Sequence, residues 1–431
     1  MVLFLILFLY NILFPVVFLF FLPGLIYKLV KRGGSKDTFW ERFAVYSSIK
    51  IKEVKKYRNK SIWVHAVSVG ETQIAVDFIR RWKELYPESL FILSTTTTTG
   101  QELARNRAPK NTIIIFCPID YFLFVLKVLR LIKPSVIVIF ETEIWPNLIT
   151  MSSLMGIKTV QVNARISDHS FKGYKRFRVI ISKFLSQLTL SCAQTEMDEC
   201  RLKQISSKLN VKVTGNMKFD QSIPDKIPDV CLENVFQNYK ESVIILAAST
   251  HKGEEKFIIE QYLKLKLIHP KLKLIIIPRH AERAPEIISI LGELNISYFR
   301  KSTNDGVGND YDCLLADTTG EMLAFMKVSD IVIMGKSFAS NTGGHNIIEP
   351  ALLSKPIITG KELTNFRQIL GIMKNDNAIW SVEDGEVFEK LKILIDSPEL
   401  RKQLGTAGYE SVSKFKGSTD KTIEIIQKLL I

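Results

Sequence analysis

The sequence predicts an α/β protein with two doubly wound domains. The chain has 431 residues, which exceeds the size of one typical hydrophobic core. From residue 61 onward, short apolar runs alternate with stretches of helical periodicity. A break with two prolines interrupts this alternation at about residues 215–242, and a second series of runs follows. These three observations favour two domains of similar size over one large domain.

The apolar runs of the first domain, residues 61–220, are continuous rather than alternating with polar residues. Such runs are typical of parallel strands that are buried on both faces. The candidate strands are SIWVHAV, SLFILST, TIIIF, SVIVIF, KTVQVN and LTLSCA.

Residues 221–242 are predicted to link the domains. The second domain, residues 243–431, has the candidate strands VIILAAS, LKLIIIPR, DCLLAD, DIVIMG and PIITG, and its stretch 383–431 has a helical pattern. Ligands of doubly wound sheets bind at the carboxyl ends of the strands, so we expect the functional residues there.

Residues 1–27 are predicted to anchor the chain in a membrane. No charge precedes Lys28, and the apolar stretch exceeds the 20 or so residues that cross a bilayer. We expect it to span the membrane, although Pro15 and Pro23 leave open a shallower, interfacial anchor. The basic residues that follow place the rest of the chain in the cytoplasm by the positive-inside rule.

The charge of the chain is strongly basic. Its net charge is +14, its pI is about 9.3, and residues 28–60 hold eleven Lys and Arg against three acids. This charge predicts an anionic partner, such as a phosphorylated substrate or an acidic lipid surface. The basic residues lack the interleaved aromatic residues of single-strand binders, which argues against a nucleic acid partner. The five cysteines contain no CxxC motif, so we expect reduced thiols and no zinc site.

Polar residues cluster where predicted strands of the first domain end. Glu71, in HAVSVGE, begins a predicted helix, and its local pattern fits either a helix-start acid or a general base. Glu141, in ETEIWPN, follows the strand SVIVIF. Its carboxylate lies two residues before that of Glu143, and two like charges so close raise one pKa unless a cation intervenes. Lys218, in GNMKFD, is the candidate cation.

The second domain carries candidate anion-binding residues at its strand ends. Arg279 and His280 follow the strand LKLIII, and an arginine suits bidentate capture of a phosphate or carboxylate. Asn346 and Glu349 follow the glycine pair Gly343–Gly344, which allows a ligand to approach the backbone closely. This pattern favours a nucleotide site, although the sequence has no GxGxxG motif and no convincing pair of metal ligands.

Together, the motifs SVGE, ETEIWPN, NARIS, GN-x-KFD, PRH-x-ER, D-x-x-GE and GGHN-x-x-EP resemble those of the bacterial 3-deoxy-D-manno-octulosonic acid (Kdo) transferases. The resemblance covers nearly the whole chain. It implies the GT-B fold, in which two Rossmann-like domains face each other across a cleft. It further implies inverting, metal-independent transfer of Kdo from CMP-Kdo to the lipid A precursor in lipopolysaccharide biosynthesis, at the cytoplasmic face of the inner membrane. No cofactor is implied, because CMP-Kdo is the donor substrate.

The resemblance also implies roles for individual residues. Glu71 is the implied proton acceptor, and Glu141 and Lys218 are the implied transition-state stabilisers. The residues implied to hold the CMP part of the donor in the C-terminal domain are Arg279, His280, Thr319, Gly320, Glu321, Asn346, Ile347, Ile348 and Glu349. The N-terminal domain is implied to bind the acceptor. The sequence departs from the family pattern at Thr319, where methionine is common, and at Ile347, where proline is common.

Two rival functions fit part of these observations. One is another two-domain enzyme of the same fold, either a transferase that uses a UDP-sugar or an epimerase. The other is a membrane-anchored nucleotide-binding protein without catalytic activity.

Overall fold

The computed structural model describes residues 2–31, 39–220, 223, 226–237, 239–307 and 310–430. The chain divides into two compact units. The first comprises Met1–Asp220 together with Lys416–Ile431, and the second comprises Gln221–Phe415. Each unit is built around a mostly parallel sheet with helices on both faces, so the predicted α/β class with two Rossmann-like units is confirmed.

The sheet of the first unit has the strand order β3-β2-β1-β4-β5-β6-β7, and every adjacent pair is parallel. Its strands are β1 (Ser61–Ala66), β2 (Leu90–Thr95), β3 (Thr112–Phe116), β4 (Val136–Phe140), β5 (Lys158–Ala164), β6 (Leu190–Ala193) and β7 (Val211–Val213). The helices are α1 (Val2–Lys31), α2 (Ser48–Lys56), α3 (Val69–Leu85), α4 (Thr98–Arg107), α5 (Phe122–Ile132), α6 (Pro146–Leu154), α7 (Asp168–Arg176), α8 (Arg178–Leu185) and α9 (Glu196–Ile205).

The continuous apolar runs form buried strands because each face of the first sheet is covered by helices. In β4, Val136, Val138 and Phe140 point into one hydrophobic core, and Ile137 and Ile139 point into the other. This division follows from the two-residue period of a strand. The first sheet is therefore buried on both sides, as the sequence pattern predicted.

The sheet of the second unit has the order β11-β10-β12-β9-β8-β13-β14-β15 and is parallel except for the β10–β11 hairpin at its edge. Its strands are β8 (Ile244–Thr250), β9 (Lys273–Pro278), β10 (Tyr298–Arg300), β11 (Asp305–Val307), β12 (Cys313–Leu315), β13 (Ile331–Met334), β14 (Ile357–Gly360) and β15 (Trp380–Val382). The helices are α10 (Glu254–Lys266), α11 (Ala284–Glu293), α12 (Met322–Val328), α13 (Ile348–Leu352), α14 (Arg367–Asn375), α15 (Val387–Asp396) and α16 (Pro398–Ser413).

The last helix, α17 (Ser418–Leu430), corrects the predicted C-terminal domain of residues 243–431. It packs on the first unit, where Ile423 and Ile426 join the same core as Phe78 of α3. The Arg81 guanidinium of α3 also donates two hydrogen bonds to the Asp420 carboxylate, at 2.6 and 2.8 Å. The helical pattern was therefore right, but its assignment to the second domain was wrong.

The described part of the predicted linker, residues 221–242, packs against the second unit. Leu232 and Phe236 are buried, and the Phe236 ring lies 5.5 Å from the Lys273 ammonium group of β9. The segment is part of the second unit. The sequence analysis did not predict these apolar contacts because the segment mixes polar and apolar residues without a regular period.

Helix α1 runs without interruption through Pro15 and Pro23. Within it, Leu3–Phe20 is long and apolar enough to cross a membrane, with a mean hydropathy of 2.7, and only 6% of this window is buried. The predicted anchor therefore exists as a helix. Residues 32–38 of the basic segment lie outside the described residues.

Candidate active site

Glu71 lies in the first turn of α3, directly after β1. Its carboxylate accepts hydrogen bonds from the backbone N–H groups of Val67 at 2.8 Å and Ser68 at 3.3 Å, and the Ser68 hydroxyl accepts the Glu71 N–H at 3.2 Å. These contacts form a capping box. The local interpretation of Glu71 as a helix-start acid is thus correct, but the residue is also only 6% exposed, which an ordinary capping residue does not need.

The environment of Glu71 changes the pKa of its carboxylate. Burial raises its pKa above the ordinary value. The hydrogen bonds from Val67 and Ser68 act in the opposite direction, and the negative charge of Glu141 adds to the increase in pKa. The result is a fixed carboxylate that binds a proton more strongly than a solvated glutamate does.

Glu141 occupies the end of β4 in a conformation that is uncommon for a residue with a side chain. Its φ is 55°, in the left-handed region, and its backbone N–H donates to the Val162 carbonyl oxygen at 2.9 Å. The Nζ atom of Lys218 lies 3.8 Å from its Oε1 atom. Such backbone strain is concentrated at functional sites. The distance between the two side chains shows that Glu141 and Lys218 form an ion pair, as the sequence analysis predicted.

Glu143 adds a third carboxylate to this group. Burial raises its pKa, and the negative charges of Glu71 and Glu141 raise it further, against a hydrogen bond from Trp145. The sequence showed the spacing of Glu141 and Glu143, but it did not select Glu143 as a site residue. Three mutually repelling carboxylates beside one lysine make a site suited to a substrate that develops positive charge.

The strand order explains why these residues meet. β1 lies next to β4 in the centre of the first sheet, and the chain leaves the two strands toward opposite edges of that sheet. Glu71 follows β1 and Glu141 follows β4. This is the switch point of a doubly wound sheet, where ligands bind outside the carboxyl ends of the strands.

The second unit brings basic residues together at the carboxyl ends of β8, β9 and β13. The Nε2 atoms of His251 and His345 lie 2.9 Å apart, and the two rings stack with centroids 5.1 Å apart. The pKa of His345 is lowered to about 3, mainly by burial and then by the positive charges of Arg279, His251, Lys336 and His280. The predicted residues Arg279 and His280 therefore belong to a larger basic cluster, which we define as His251, Arg279, His280, Lys336 and His345.

A buried carboxylate joins the two loops that carry this cluster. Glu254, at the start of α10, accepts the backbone N–H of His251 at 2.8 Å. It also accepts the N–H groups of Lys336 and Ser337 at 2.8 Å and of Phe338 at 2.9 Å. Burial raises its pKa, and these hydrogen bonds oppose the increase. Glu254 thus holds the loop after β8 and the loop after β13 in one arrangement.

The remaining predicted donor residues lie on two further loops of the second unit. Thr319 and Gly320 are exposed after β12, and Glu321 lies 3.2 Å from the Lys301 ammonium group. After β13, the Asn346 side-chain amide donates to Glu349 Oε1 at 3.0 Å.

Ile347 and Ile348 are fully buried, so only their backbone groups can face a ligand. Their side chains fill the core of the second unit. The departure from proline at Ile347 therefore removes no side chain that a ligand would contact.

The described part of the chain contains no group of three or more His, Cys, Asp or Glu side chains placed to hold a metal ion.

The chain is similar to a known family over most of its length. A family model described as "3-Deoxy-D-manno-octulosonic-acid transferase (kdotransferase)" matches residues 37–221. The 3-deoxy-D-manno-octulosonic acid transferase of Haemophilus influenzae is 28% identical over 405 residues, which cover 93% of each chain. The enzyme of that name from Rickettsia felis is 31% identical over 398 residues, which cover 91% of this chain and 84% of the relative. The chain belongs to the Kdo transferase family.

Solved structures with lower sequence similarity share the fold of this Kdo transferase family member. The UDP-GlcNAc 2-epimerase of Neisseria meningitidis, solved with UDP-GlcNAc, superimposes with a TM-score of 0.57 at 14% identity. The match covers 85% of this chain and all of that chain. At such low identity the similarity describes the fold alone. The family assignment rests on sequence and makes the protein a glycosyltransferase.

Two histidines near strand ends, His65 and His169, do not belong to the basic cluster. His65 is buried inside β1, where its Nδ1 atom lies 2.9 Å from the Ser94 hydroxyl and its ring packs edge-on against Trp145. His169 lies on the exposed start of α7. Five of the six histidines lie at or just past strands predicted from the sequence, namely His65, His169, His251, His280 and His345. Of these five, only His251, His280 and His345 lie together.

We predict that Glu254→Gln weakens both the fold and donor binding. A glutamine offers one acceptor oxygen in place of two and turns an N–H group toward backbone donors. Hydrogen bonds to charged groups contribute about 1.5–3 kcal/mol each, so we expect the free energy of unfolding to fall by about 2–4 kcal/mol. Thermal denaturation with and without CMP measures both effects. Glu260→Gln, on the same helix, is the control. Unchanged stability would contradict the conclusion that Glu254 holds the loops after β8 and β13 together.

Proposed function

We propose that the protein transfers Kdo from CMP-Kdo to the lipid A precursor, with inversion at the anomeric carbon and without a metal ion. The observation that carries this proposal is the buried carboxylate of Glu71 at the switch point of the first sheet, next to the Glu141–Lys218 pair, in a chain of the Kdo transferase family. We place the reaction at the cytoplasmic face of the inner membrane, where the basic segment after α1 meets acidic lipids.

The basic cluster of the second unit is suited to the donor. CMP-Kdo carries a phosphodiester and a carboxylate, and both require positive charge or N–H donors. Arg279 can bind such a group with two parallel hydrogen bonds. His345 and Lys336 lie on the loop that Glu254 fixes. The positive charges of Arg279 and Lys336 lower the pKa of His345, and a bound anion offsets these charges. Donor binding therefore needs no metal to neutralise its charge.

Glu71 acts as the general base in this proposal. Its carboxylate takes the proton from the attacking hydroxyl of the lipid A precursor. The hydroxyl oxygen forms a bond to the anomeric carbon of Kdo, and the bond from that carbon to the phosphate oxygen breaks, so that CMP leaves as an anion. A positioned base contributes roughly 10²–10⁴-fold to the rate. The hydrogen bonds from Val67 and Ser68 hold the carboxylate in place for the transfer.

Glu141 and Lys218 stabilise the charges that develop during the reaction. Departure of CMP leaves positive character at the anomeric carbon, which a fixed carboxylate stabilises electrostatically. Lys218 forms an ion pair with Glu141 and offers a positive charge to the carboxylate of Kdo. At a distance of 3.8 Å from Glu141, the Lys218 ammonium group can pair with Glu141 and also approach the carboxylate of Kdo.

We predict that the acid limb of the pH–rate profile reports Glu71. The base works only when ionised, and burial raises its pKa, so activity should fall at a higher pH than the titration of an ordinary glutamate would give. Because the negative charge of Glu141 contributes to this increase, Glu141→Gln should move the limb to lower pH, even though it lowers the rate. The profile of kcat/KM against pH measures the shift. A limb that stays in place would contradict the coupling.

Donor preference is the direct test against the rival function of the same fold. The purified protein is incubated with the lipid A precursor and either CMP-Kdo or a UDP-sugar. We expect turnover with CMP-Kdo alone. Turnover with a UDP-sugar and none with CMP-Kdo would overturn the proposal.

A further inference from the structure

Two polar residues lie in the middle of the apolar helix α1, and both contact the first unit. The Tyr10 hydroxyl donates to Asp120 Oδ2 at 3.2 Å. The Asn11 side chain donates to Asn147 Oδ1 at 2.9 Å, and its own oxygen accepts the backbone N–H of Phe122 at 3.1 Å. We call these contacts the α1 latch. They fasten the centre of the apolar window to the starts of α5 and α6.

Apolar contacts extend the docked surface on both sides of the latch. Leu7 is buried, one turn before it. Phe14 follows Tyr10 by one turn, and Phe18 packs edge-on against Phe43 with ring centroids 6.2 Å apart. At a rise of 1.5 Å per residue, the docked stretch from Leu7 to Phe18 is about 17 Å long. The body of the first unit therefore lies alongside more than half of the window Leu3–Phe20.

This docking is incompatible with an upright helix and a body that stays outside the membrane. The hydrocarbon core is about 30 Å thick, so an upright Leu3–Phe20 segment would place the latch near the centre of the bilayer. Asp120 also accepts the backbone N–H groups of Asn147 at 3.0 Å and Leu148 at 2.9 Å, so the start of α6 would be immersed with it. Burying such polar groups in hydrocarbon is costly.

The other face of α1 is apolar and open. The large apolar residues on this face are between 49% and 82% exposed; they are Phe4, Leu5, Phe8, Leu9, Ile12, Leu13, Val16, Val17, Leu19 and Phe20. Without a lipid partner, so much exposed hydrocarbon is unfavourable, and a continuous patch of this kind marks an interaction surface.

A neighbouring helix extends this face and supplies charge. Helix α8 packs against α1 and exposes Val179 and Ile180. Arg176 and Arg178, directly before them, are also exposed. Apolar side chains beside exposed arginines fit the boundary between the acyl chains and acidic headgroups of a bilayer. The surface of α1 and α8 thus matches one leaflet rather than a second protein.

We infer that α1 lies in the plane of the membrane, with its outer face in one leaflet and its inner face held to the first unit by the α1 latch. This arrangement selects the interfacial anchor over the spanning helix that the sequence favoured. It also gives α1 a second role. Because the latch ends on Asn147, it fixes the first turn of α6, which follows the segment that carries Glu141 and Glu143.

Depth measurement in vesicles tests the orientation. Cysteines are placed at Phe4 and Ile12, both on the open face, in the full chain with the exposed Cys200 and Cys231 replaced by serine; Cys117, Cys192 and Cys313 are buried. Each cysteine is labelled with a fluorophore, and the protein is reconstituted in vesicles of phosphatidylethanolamine and phosphatidylglycerol. Quenching by lipids spin-labelled at graded depths then locates each site.

The two orientations predict different depths. Positions 4 and 12 are about 12 Å apart along a helix axis. The in-plane helix places both labels at the same depth, within about 4 Å, which is less than one helical turn. A label at position 12 that lies about 12 Å deeper than the label at position 4 would overturn the inference.

A second variant tests the latch itself. Tyr10→Phe with Asn11→Leu removes the polar contacts and leaves an uninterrupted apolar helix. We expect the label at position 12 to move deeper, toward a spanning arrangement. The matched control is Leu9→Val with Leu13→Val on the open face, which should leave the depth unchanged. A label that does not move when the latch is removed would contradict the proposed role of Tyr10 and Asn11.

Discussion

Glu71→Gln should lower the rate of Kdo transfer by about 10²–10⁴-fold, because the lipid hydroxyl loses its proton acceptor. Glutamine keeps one acceptor oxygen, which can take the shorter hydrogen bond from the Val67 N–H, and loses the longer one from Ser68. The Ser68 hydroxyl still accepts the backbone N–H of residue 71, so the start of α3 should persist. Donor binding should also persist, since the residues proposed to bind the donor lie on the second unit. The expected signature is a large fall in kcat with little change in the dissociation constant of CMP.

The measurement combines single-turnover transfer with CMP binding by calorimetry. Glu84→Gln is the matched control, because Glu84 lies near the other end of α3 with a side chain that is 53% exposed. Its transfer rate should equal that of the native protein. A Glu71→Gln variant that retains more than about one tenth of the native rate would rule out Glu71 as the base, since a positioned base contributes far more than this.

Removal of the charge at Lys218 should produce the second-largest effect. Lys218→Met leaves the Glu141 carboxylate without its ammonium partner next to Glu71. We expect transfer to fall by about 10²-fold, since one electrostatic group aimed at a transition state contributes an effect of this size. Lys212→Met, at the exposed middle of β7, is the control and should leave the rate unchanged.

The double variant Lys218→Met with Glu141→Gln distinguishes a working pair from two separate contributions. Residues that act as a unit show coupled effects, so the double variant should lose far less than the product of the two single losses. Transfer rates of all four proteins complete the cycle. Additive losses would show that the 3.8 Å pair in the structure has no joint role in the reaction.

The sequence predicted the central strands well because burial on both faces leaves a strong apolar signal. It missed β7, β10, β11 and β15, which are three residues long. All of them lie at or near an edge of their sheet. Such strands exist because a neighbour supplies hydrogen bonds, and their own residues carry little periodicity.

The position of α17 could not be read from the sequence either. Local pattern identifies a helix and its apolar face, but it does not say which sheet that face covers. The contacts that decide, such as Arg81 with Asp420, join residues that lie 339 positions apart. Because α17 follows the second domain along the chain, the sequence analysis assigned it to that domain. Ile423 and Ile426 instead pack into a hydrophobic core of the first unit.

The site was predictable where a single strand end carried the signal. Glu71 and Glu141 stood out because each follows a buried strand, and parallel strands bring their carboxyl ends to one edge. Glu254 did not stand out, because its pattern is that of any helix-start acid. Its partners Lys336, Ser337 and Phe338 come from a loop 82–84 residues later. Asp120 was missed for the same reason, since its partner Tyr10 lies in the apolar helix.

Mass spectrometry of the lipid product decides whether the protein transfers Kdo without a metal ion. The purified protein is incubated with CMP-Kdo and the lipid A precursor in the presence of a metal chelator, and the mass of the extracted lipid is measured. We expect a product heavier by one or more whole Kdo residues, formed with release of CMP. An unmodified lipid, from a protein shown to be folded, would refute the proposed reaction.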